Sequence, residues 1–170
     1  MSSFFKIALV LAGLSLSACS NSNMFDPDKP SGGSSTGANY ELGSADDPTS
    51  VAHFQQAIGD RVLFQVDQSV LTEEGKTVLL GQANWLMANT AYSGVIEGHA
   101  DEQGTREYNL ALGARRASAA KEYLVSRGVA ANRLRTISYG KERPLEVCSA
   151  EACYNKNRRA VTVLQADLSG

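Results

Sequence analysis

The chain has 170 residues, 43% of them hydrophobic and 20% charged, with three cysteines and a formal charge of -2. A domain of about 110 to 120 residues buries a self-sufficient core without a disulfide framework or structural metal, and the composition excludes collagenous, coiled-coil and wholly disordered chains. The 16 basic and 18 acidic residues are interspersed, so no long-range field gathers phosphate backbones and no nucleic acid is expected as a partner.

Met1 to Lys6 carry one cation, and Ile7 to Leu14 form an apolar run of signal-peptide length, too short to span a bilayer. Residues 1–18 are therefore predicted to be a signal peptide. The run ends in Leu16-Ser17-Ala18-Cys19, which resembles the bacterial lipoprotein box, where cleavage precedes a cysteine that is then acylated. Cys19 is the expected lipidation site. At about 0.8 kcal/mol per buried methylene, two or more acyl chains anchor a protein stably where one is marginal. Ser20 follows where an Asp would resemble the inner-membrane retention signal, so the expected location is the outer membrane with the domain facing the periplasm. Residues 19–48 form the lipidated N-terminus and a Ser-, Gly-, Asn-, Asp- and Pro-rich stretch whose large apolar residues are Met24, Phe25, Tyr40 and Leu42. This composition predicts a disordered tether, and about 29 such residues span roughly 30 Å root-mean-square.

The domain is assigned to residues 49–170. Arg61 to Val66 reads as a strand closed by the Asp67-Gln68-Ser69 turn. Thr72 caps a helix running to about Asn89, with Val78, Leu79, Gln82, Trp85 and Leu86 at helical spacing. Ser93 to Ala100 is a second strand, whose Gly94 and Gly98 admit another backbone or a ligand. Gly104-Thr105 opens a second helix, which continues to Arg127 and ends at Gly128 in a left-handed cap. Arg133 to Tyr139 and Arg159 to Gln165 supply two more strands. The order β-α-β-α-β-β predicts an α+β two-layer sandwich with both helices on one face of a small mixed sheet, because each helix has one apolar stripe to bury.

In the second helix the spacing 108, 112, 116, 119, 123 places Arg116 on a stripe with Tyr108, Leu112, Ala119 and Tyr123. An unpaired buried charge costs several kcal/mol, so the stem snorkels to water or a carboxylate meets it. The preceding loop, at the carboxyl end of a strand, supplies Asp101 and Glu102. Pattern alone leaves three readings of Asp101 and Arg116: a structural ion pair, a binding pair, or a snorkelling arginine.

Four runs carry a resemblance: Gly98-His99-Ala100-Asp101-Glu102-Gln103-Gly104-Thr105, Tyr108-Asn109-Leu110-Ala111-Leu112-Gly113-Ala114-Arg115-Arg116-Ala117, Ser138-Tyr139-Gly140-Lys141-Glu142-Arg143-Pro144 and Asn157-Arg158-Arg159. Over about residues 60 to 166 the chain resembles the OmpA-like peptidoglycan-binding domain. With the lipoprotein box and tether, the whole is similar to lipoproteins of the Tol-Pal system. The resemblance implies a noncovalent grip on the diaminopimelate stem peptide of peptidoglycan, with Asp101 and Arg116 as ligand contacts, Asn109 and Leu112 at further contact positions, and Val66 and Asp67 contributing from the end of the first strand. It also implies the Tol proteins as partners, chiefly TolB, which competes with peptidoglycan for an overlapping surface. No cofactor is implied. The family's first strand usually ends in a Phe-Asp-Phe-Asp pattern; here Val66 presents less surface than Phe.

Diaminopimelate carries an ammonium and a carboxylate on its far carbon, so one acid and one guanidinium satisfy both in charge-assisted hydrogen bonds. The competing class is a wall hydrolase or metal protein, because period-two alternation puts Glu97, His99 and Asp101 on one strand face. Against it, His53 is the only other histidine, and no nucleophile or paired carboxylates stand in a recognisable setting. With Cys19 assigned to lipid, Cys148 and Cys153 remain. In an oxidising compartment this even pair predicts a disulfide worth roughly 2 kcal/mol, the alternative being two free thiols. At least one of Arg158 and Arg159 reads as a structural or surface charge.

Overall fold

The computed structural model describes residues 41–166. The signal peptide, the Cys19 lipidation site and most of the tether lie outside the described residues. The stretch 41–48, assigned by composition to the tether, is pinned to the domain. Asp47 is buried, and its carboxylate accepts hydrogen bonds from the backbone N–H groups of Gly43 and Thr49 and from the Thr49 hydroxyl, at 2.9, 2.9 and 2.8 Å. Those bonds hold the Asp47 carboxyl below its ordinary value. Trp85 Nε1 donates to the Pro48 carbonyl at 2.7 Å.

Ser50 then caps α1 (Val51–His53), which runs on as a π-helical turn over Phe54–Gly59. The remaining elements are β1 (Arg61–Leu63), α2 (Glu73–Ala88), β2 (Tyr92–His99), α3 (Arg106–Ser126), a 3-10 turn (Ala131–Arg133), β3 (Leu134–Gly140), α4 (Glu151–Asn157) and β4 (Arg159–Ala166). The predicted helices start where their caps dictate: Thr72 Oγ1 accepts from Gly75 N at 3.1 Å, and Thr105 Oγ1 accepts from Tyr108 N at 3.2 Å. Gly128, at φ 106°, ends α3 as expected. Neither α1 with its π turn nor α4 is in the predicted order. Of the seven residues of α4 only Asn157 is buried, so no apolar stripe announces the helix.

The sheet order is β1-β4-β2-β3, with β2 and β3 parallel and β4 antiparallel to both β1 and β2. The fold is α+β, a mixed four-stranded sheet carrying its long helices as a second layer. β2 buries Gly94, Ile96 and Gly98 in alternation, and these meet a core that includes Phe54, Val62, Phe64, Leu79, Leu86, Leu124 and Leu134. The opposite sheet face leaves Leu63, Ile137 and Val163 about 40% exposed, as expected of a sheet covered on one side.

The buried stripe of α3 differs from the predicted one. It consists of Asn109, Leu112, Gly113, Arg116, Ala117, Ala120 and Leu124, whereas Tyr108 is 45% exposed. The rotation follows from a close approach of backbones: a Cβ on Gly98 would fall on the Gly113 carbonyl, and one on Gly113 would fall on the Ser138 hydroxyl. Two facing glycines let α3 settle on β2 and β3, and this brings residues 109, 112 and 116 over the carboxyl end of β2.

Candidate ligand-binding site

Predicted as a strand to Val66, the first strand ends at Leu63, because residues 65–68 turn back onto a guanidinium. Arg116 is fully buried. It donates through Nε to the Gln68 carbonyl at 2.8 Å, through Nη1 to the His99 carbonyl at 2.8 Å and through Nη2 to the Gln65 carbonyl at 3.1 Å. The Phe64 ring lies 5.3 Å away. Burial pulls Arg116 down to about 10, opposed by the charge of Asp101 and reinforced by that of Arg158, so it stays charged at neutral pH. The turn so gathered holds Asp67 in the left-handed region at φ 56°, which Asp tolerates better than most residues.

Asp101 follows the end of β2. Pattern leaves a direct Asp101–Arg116 pair as one of three readings; the structure pairs Asp101 with Arg158, whose Nη1 donates to Asp101 Oδ2 at 3.1 Å. Arg158 is itself locked, its carbonyl accepting from Phe64 N at 2.9 Å and its Nε donating to the Phe64 carbonyl at 3.2 Å. It also pairs with Glu151 of α4. Asp101 Oδ1 accepts from Gln103 N at 3.3 Å, and Asn109 Nδ2 donates to the Gln103 carbonyl at 2.8 Å. Tyr108 donates its hydroxyl proton to Asp67 Oδ1.

These contacts frame a cavity of about 240 Å³ lined by Val66, Asp67, Asp101, Gln103, Gly104, Tyr108, Asn109 and Leu112. Five sequence-predicted residues thus meet in one place: Val66, Asp67, Asp101, Asn109 and Leu112. Arg116 sits beneath them and is not part of the lining. Sequence reasoning missed Gln103, Gly104, Tyr108 and Arg158. The spacing predicts Tyr108 on the buried stripe, and Arg158 lies in the Asn157-Arg158-Arg159 run with no partner indicated by spacing. The wall is polar where Asp67 and Asp101 stand and apolar at Val66 and Leu112, with Arg116 and Arg158 keeping positive charge behind it. Such a cavity takes a group that is cationic at one point and has a methylene stem.

The Glu97, His99 and Asp101 face does not converge on a metal site. His99 Nε2 is 3.7 Å from Glu97 Oε2, neither ring nitrogen has a hydrogen-bond partner, and the ring stacks 5.6 Å from Tyr139. Burial, with Arg159 and Arg143 nearby, pulls His99 down to about 4, so it is neutral at physiological pH. Among the described residues no group of three His, Cys, Asp or Glu could hold a metal ion. A disulfide joins Cys148, in the loop ahead of α4, to Cys153 within α4, the expected pairing.

The sequence pattern of the OmpA family matches residues 63–158, which contain the whole of this cavity. The chain belongs to the OmpA family. Within it, a protein of Mesorhizobium japonicum named peptidoglycan-associated lipoprotein is 57% identical over 117 residues, 69% of this chain and 70% of its own. One of Rhizobium meliloti with the same name is 48% identical over 158 residues, 93% of this chain and 85% of its own. The crystal structure of the peptidoglycan-associated lipoprotein from Burkholderia pseudomallei superposes with a TM-score of 0.63 at 34% identity, covering 71% of this chain and 98% of that one. The OmpA-like fold extends to the C-terminal domain of Helicobacter pylori MotB, at 20% identity and a TM-score of 0.60 over 64% of this chain and 86% of that one. No helix among the described residues is long and apolar enough to cross a membrane.

Proposed function

We propose that the chain is an outer-membrane lipoprotein, anchored through Cys19, whose periplasmic domain binds the diaminopimelate stem peptide of peptidoglycan without a covalent bond and so ties the outer membrane to the wall. The observation that carries this reading is the convergence of Val66, Asp67, Asp101, Asn109 and Leu112 on one cavity. Asp101 accepts the ammonium of diaminopimelate, Val66 and Leu112 cover its methylenes, and the ligand carboxylate faces Arg116. Arg116 is fully buried beneath the lining with three N–H groups on carbonyls, so it meets the ligand carboxylate through its charge from behind the cavity wall. The names of the relatives support the wall as the target. The family resemblance supports a place in the Tol-Pal system, with TolB as a competing partner at the same surface, and a role in envelope integrity and membrane constriction at division.

The test is sedimentation of the mature chain, held in detergent, with purified wall sacculi. Wild type is expected in the pellet and Asp101→Ala in the supernatant. Wild type staying in the supernatant would overturn the reading.

A further inference from the structure

The loop that carries the cavity is held from the side by the disulfide segment. Ser149 and Tyr154 each follow one of the bonded cysteines, and both donate their hydroxyl protons to Glu102 Oε1, at 3.2 and 2.9 Å. Glu151, inside the disulfide loop, pairs with Arg158, and Arg158 pairs with Asp101. Two hydrogen-bond routes therefore lead from residues 148–154 to adjacent residues of the ligand loop. Lys141 Nζ closes the other side of the same loop, donating to the carbonyls of Glu102 and Gly104 at 3.3 and 2.7 Å.

The covalent bond closes residues 148–153 into one loop that, with the adjoining Tyr154, carries these contacts. α4 has seven residues, no side chain caps its N-terminus, and its one buried residue, Asn157, lies at the far end. A helix this short does not persist alone, and its first turn has orphan N–H groups with no cap to take them. We propose that the Cys148–Cys153 disulfide, acting through Ser149, Glu151 and Tyr154, positions the ligand loop, so that affinity for the stem peptide depends on the redox state of this bond. The inference rests on the cavity being the ligand site. With the bond open, Glu102 loses its two hydroxyl donors, and Arg158, released from Glu151, neutralises Asp101 more completely. The first change loosens the ligand loop, and the second weakens the charge that a ligand ammonium would meet.

The probe is a diaminopimelate-containing stem peptide titrated into the mature chain in detergent, with and without dithiothreitol. The dithiol supplies two electrons and two protons and closes to its own cyclic disulfide, while the Sγ–Sγ bond becomes two thiols. Reduction should raise Kd about tenfold, equivalent to about 1.4 kcal/mol, and reoxidation should restore it. The oxidised double variant Glu151→Ala/Tyr154→Phe should bind about as weakly as the reduced wild type and lose its response to dithiothreitol. A general loss of stability would not produce that loss of response. The Gln103 and Gly104 amide resonances should shift on reduction of wild type. An unchanged Kd on reduction, or a double variant that binds like oxidised wild type, would overturn the positioning role while leaving the site intact. No binding by the oxidised wild type would overturn the site and this inference together.

Discussion

Where β2 begins, Trp85 packs between Phe54 and Tyr92 with ring centroids 5.0 and 5.2 Å away, and its single polar atom is taken by the Pro48 carbonyl. Where β2 ends, the buried groups are Arg116, Arg158, Asp101, Asn109 and His99, and all of them except the His99 ring are hydrogen-bonded to particular partners. The first end is held by area removed from water, which tolerates many side chains of similar volume. The second is held by a connected polar network, in which removing one partner leaves others buried and unsatisfied. The cavity lies at the second end. A network that fixes loops to within a hydrogen bond also fixes the charges a ligand must meet, so stability and recognition are separable here by position along one strand.

The largest effect should come from attacking the apolar end. Trp85→Ala removes the ring that joins Phe54 to Tyr92 and frees the segment before α1, a change that typically costs about 3 to 5 kcal/mol. Urea unfolding measures that loss. Binding of the remaining folded protein to sacculi should be unchanged, and weakened binding at full folding would erase the distinction between the two ends.

The apolar end and the element caps were legible in the sequence because caps and apolar periodicity are local signals. Thr72, Thr105 and Gly128 stand where they were read, and Leu79, Gln82, Trp85 and Leu86 are buried as their spacing demands. The polar end was legible only in part. Arg116 stands on a buried stripe as the spacing predicts, but that stripe passes through Asn109, whose Nδ2 donates to the Gln103 carbonyl, rather than through exposed Tyr108. The Arg158 and Asp101 pair joins residues 57 positions apart, and no periodicity reports such a contact. The attachment of residues 41–48 leaves no periodic signal for a similar reason, since their anchor is the buried Asp47 carboxylate rather than an apolar side chain.

At the polar end, the sharpest expected effect is ligand discrimination. A stem peptide with lysine in place of diaminopimelate keeps the ammonium for Asp101 but deprives Arg116 of its anion. Leaving one member of a desolvated pair unmatched costs about 2 to 5 kcal/mol, a roughly thirtyfold or greater loss of affinity. Asp101→Ala should weaken both peptides together. Calorimetric titration with the two peptides reads both results, and equal affinities for wild type would remove Arg116 from recognition.

His99 gives the polar end a pH dependence of its own between about pH 6.5 and 4. Its folded value, about 4, lies below the ordinary 6.5, so between these values the unfolded chain binds more protons. Stability from the neutral ring is complete above about pH 6.5 and is lost as pH falls toward 4, by on the order of 3 kcal/mol. His99→Gln should flatten the urea-unfolding profile over that window. An equal slope in the variant would assign acid sensitivity to other groups.

The smallest test uses two helix caps of the same chemistry. Thr72 and Thr105 each accept one backbone hydrogen bond at the start of a long helix, and replacing either by Ala should cost about 1 kcal/mol of stability. The two differ in what the first turn carries. Behind Thr105 stand Tyr108, which holds Asp67, and Asn109, which holds the Gln103 carbonyl, so fraying of α3 loosens the cavity wall on two sides. Behind Thr72 stand Glu73 and Glu74, and neither lines that cavity. Matched losses in urea should therefore accompany unmatched losses in binding: Thr105→Ala should weaken peptide affinity several-fold, and Thr72→Ala should leave it within error of wild type. If both variants bound alike, the order of the cavity would follow global stability rather than the local network, and position along the strand would no longer separate the two.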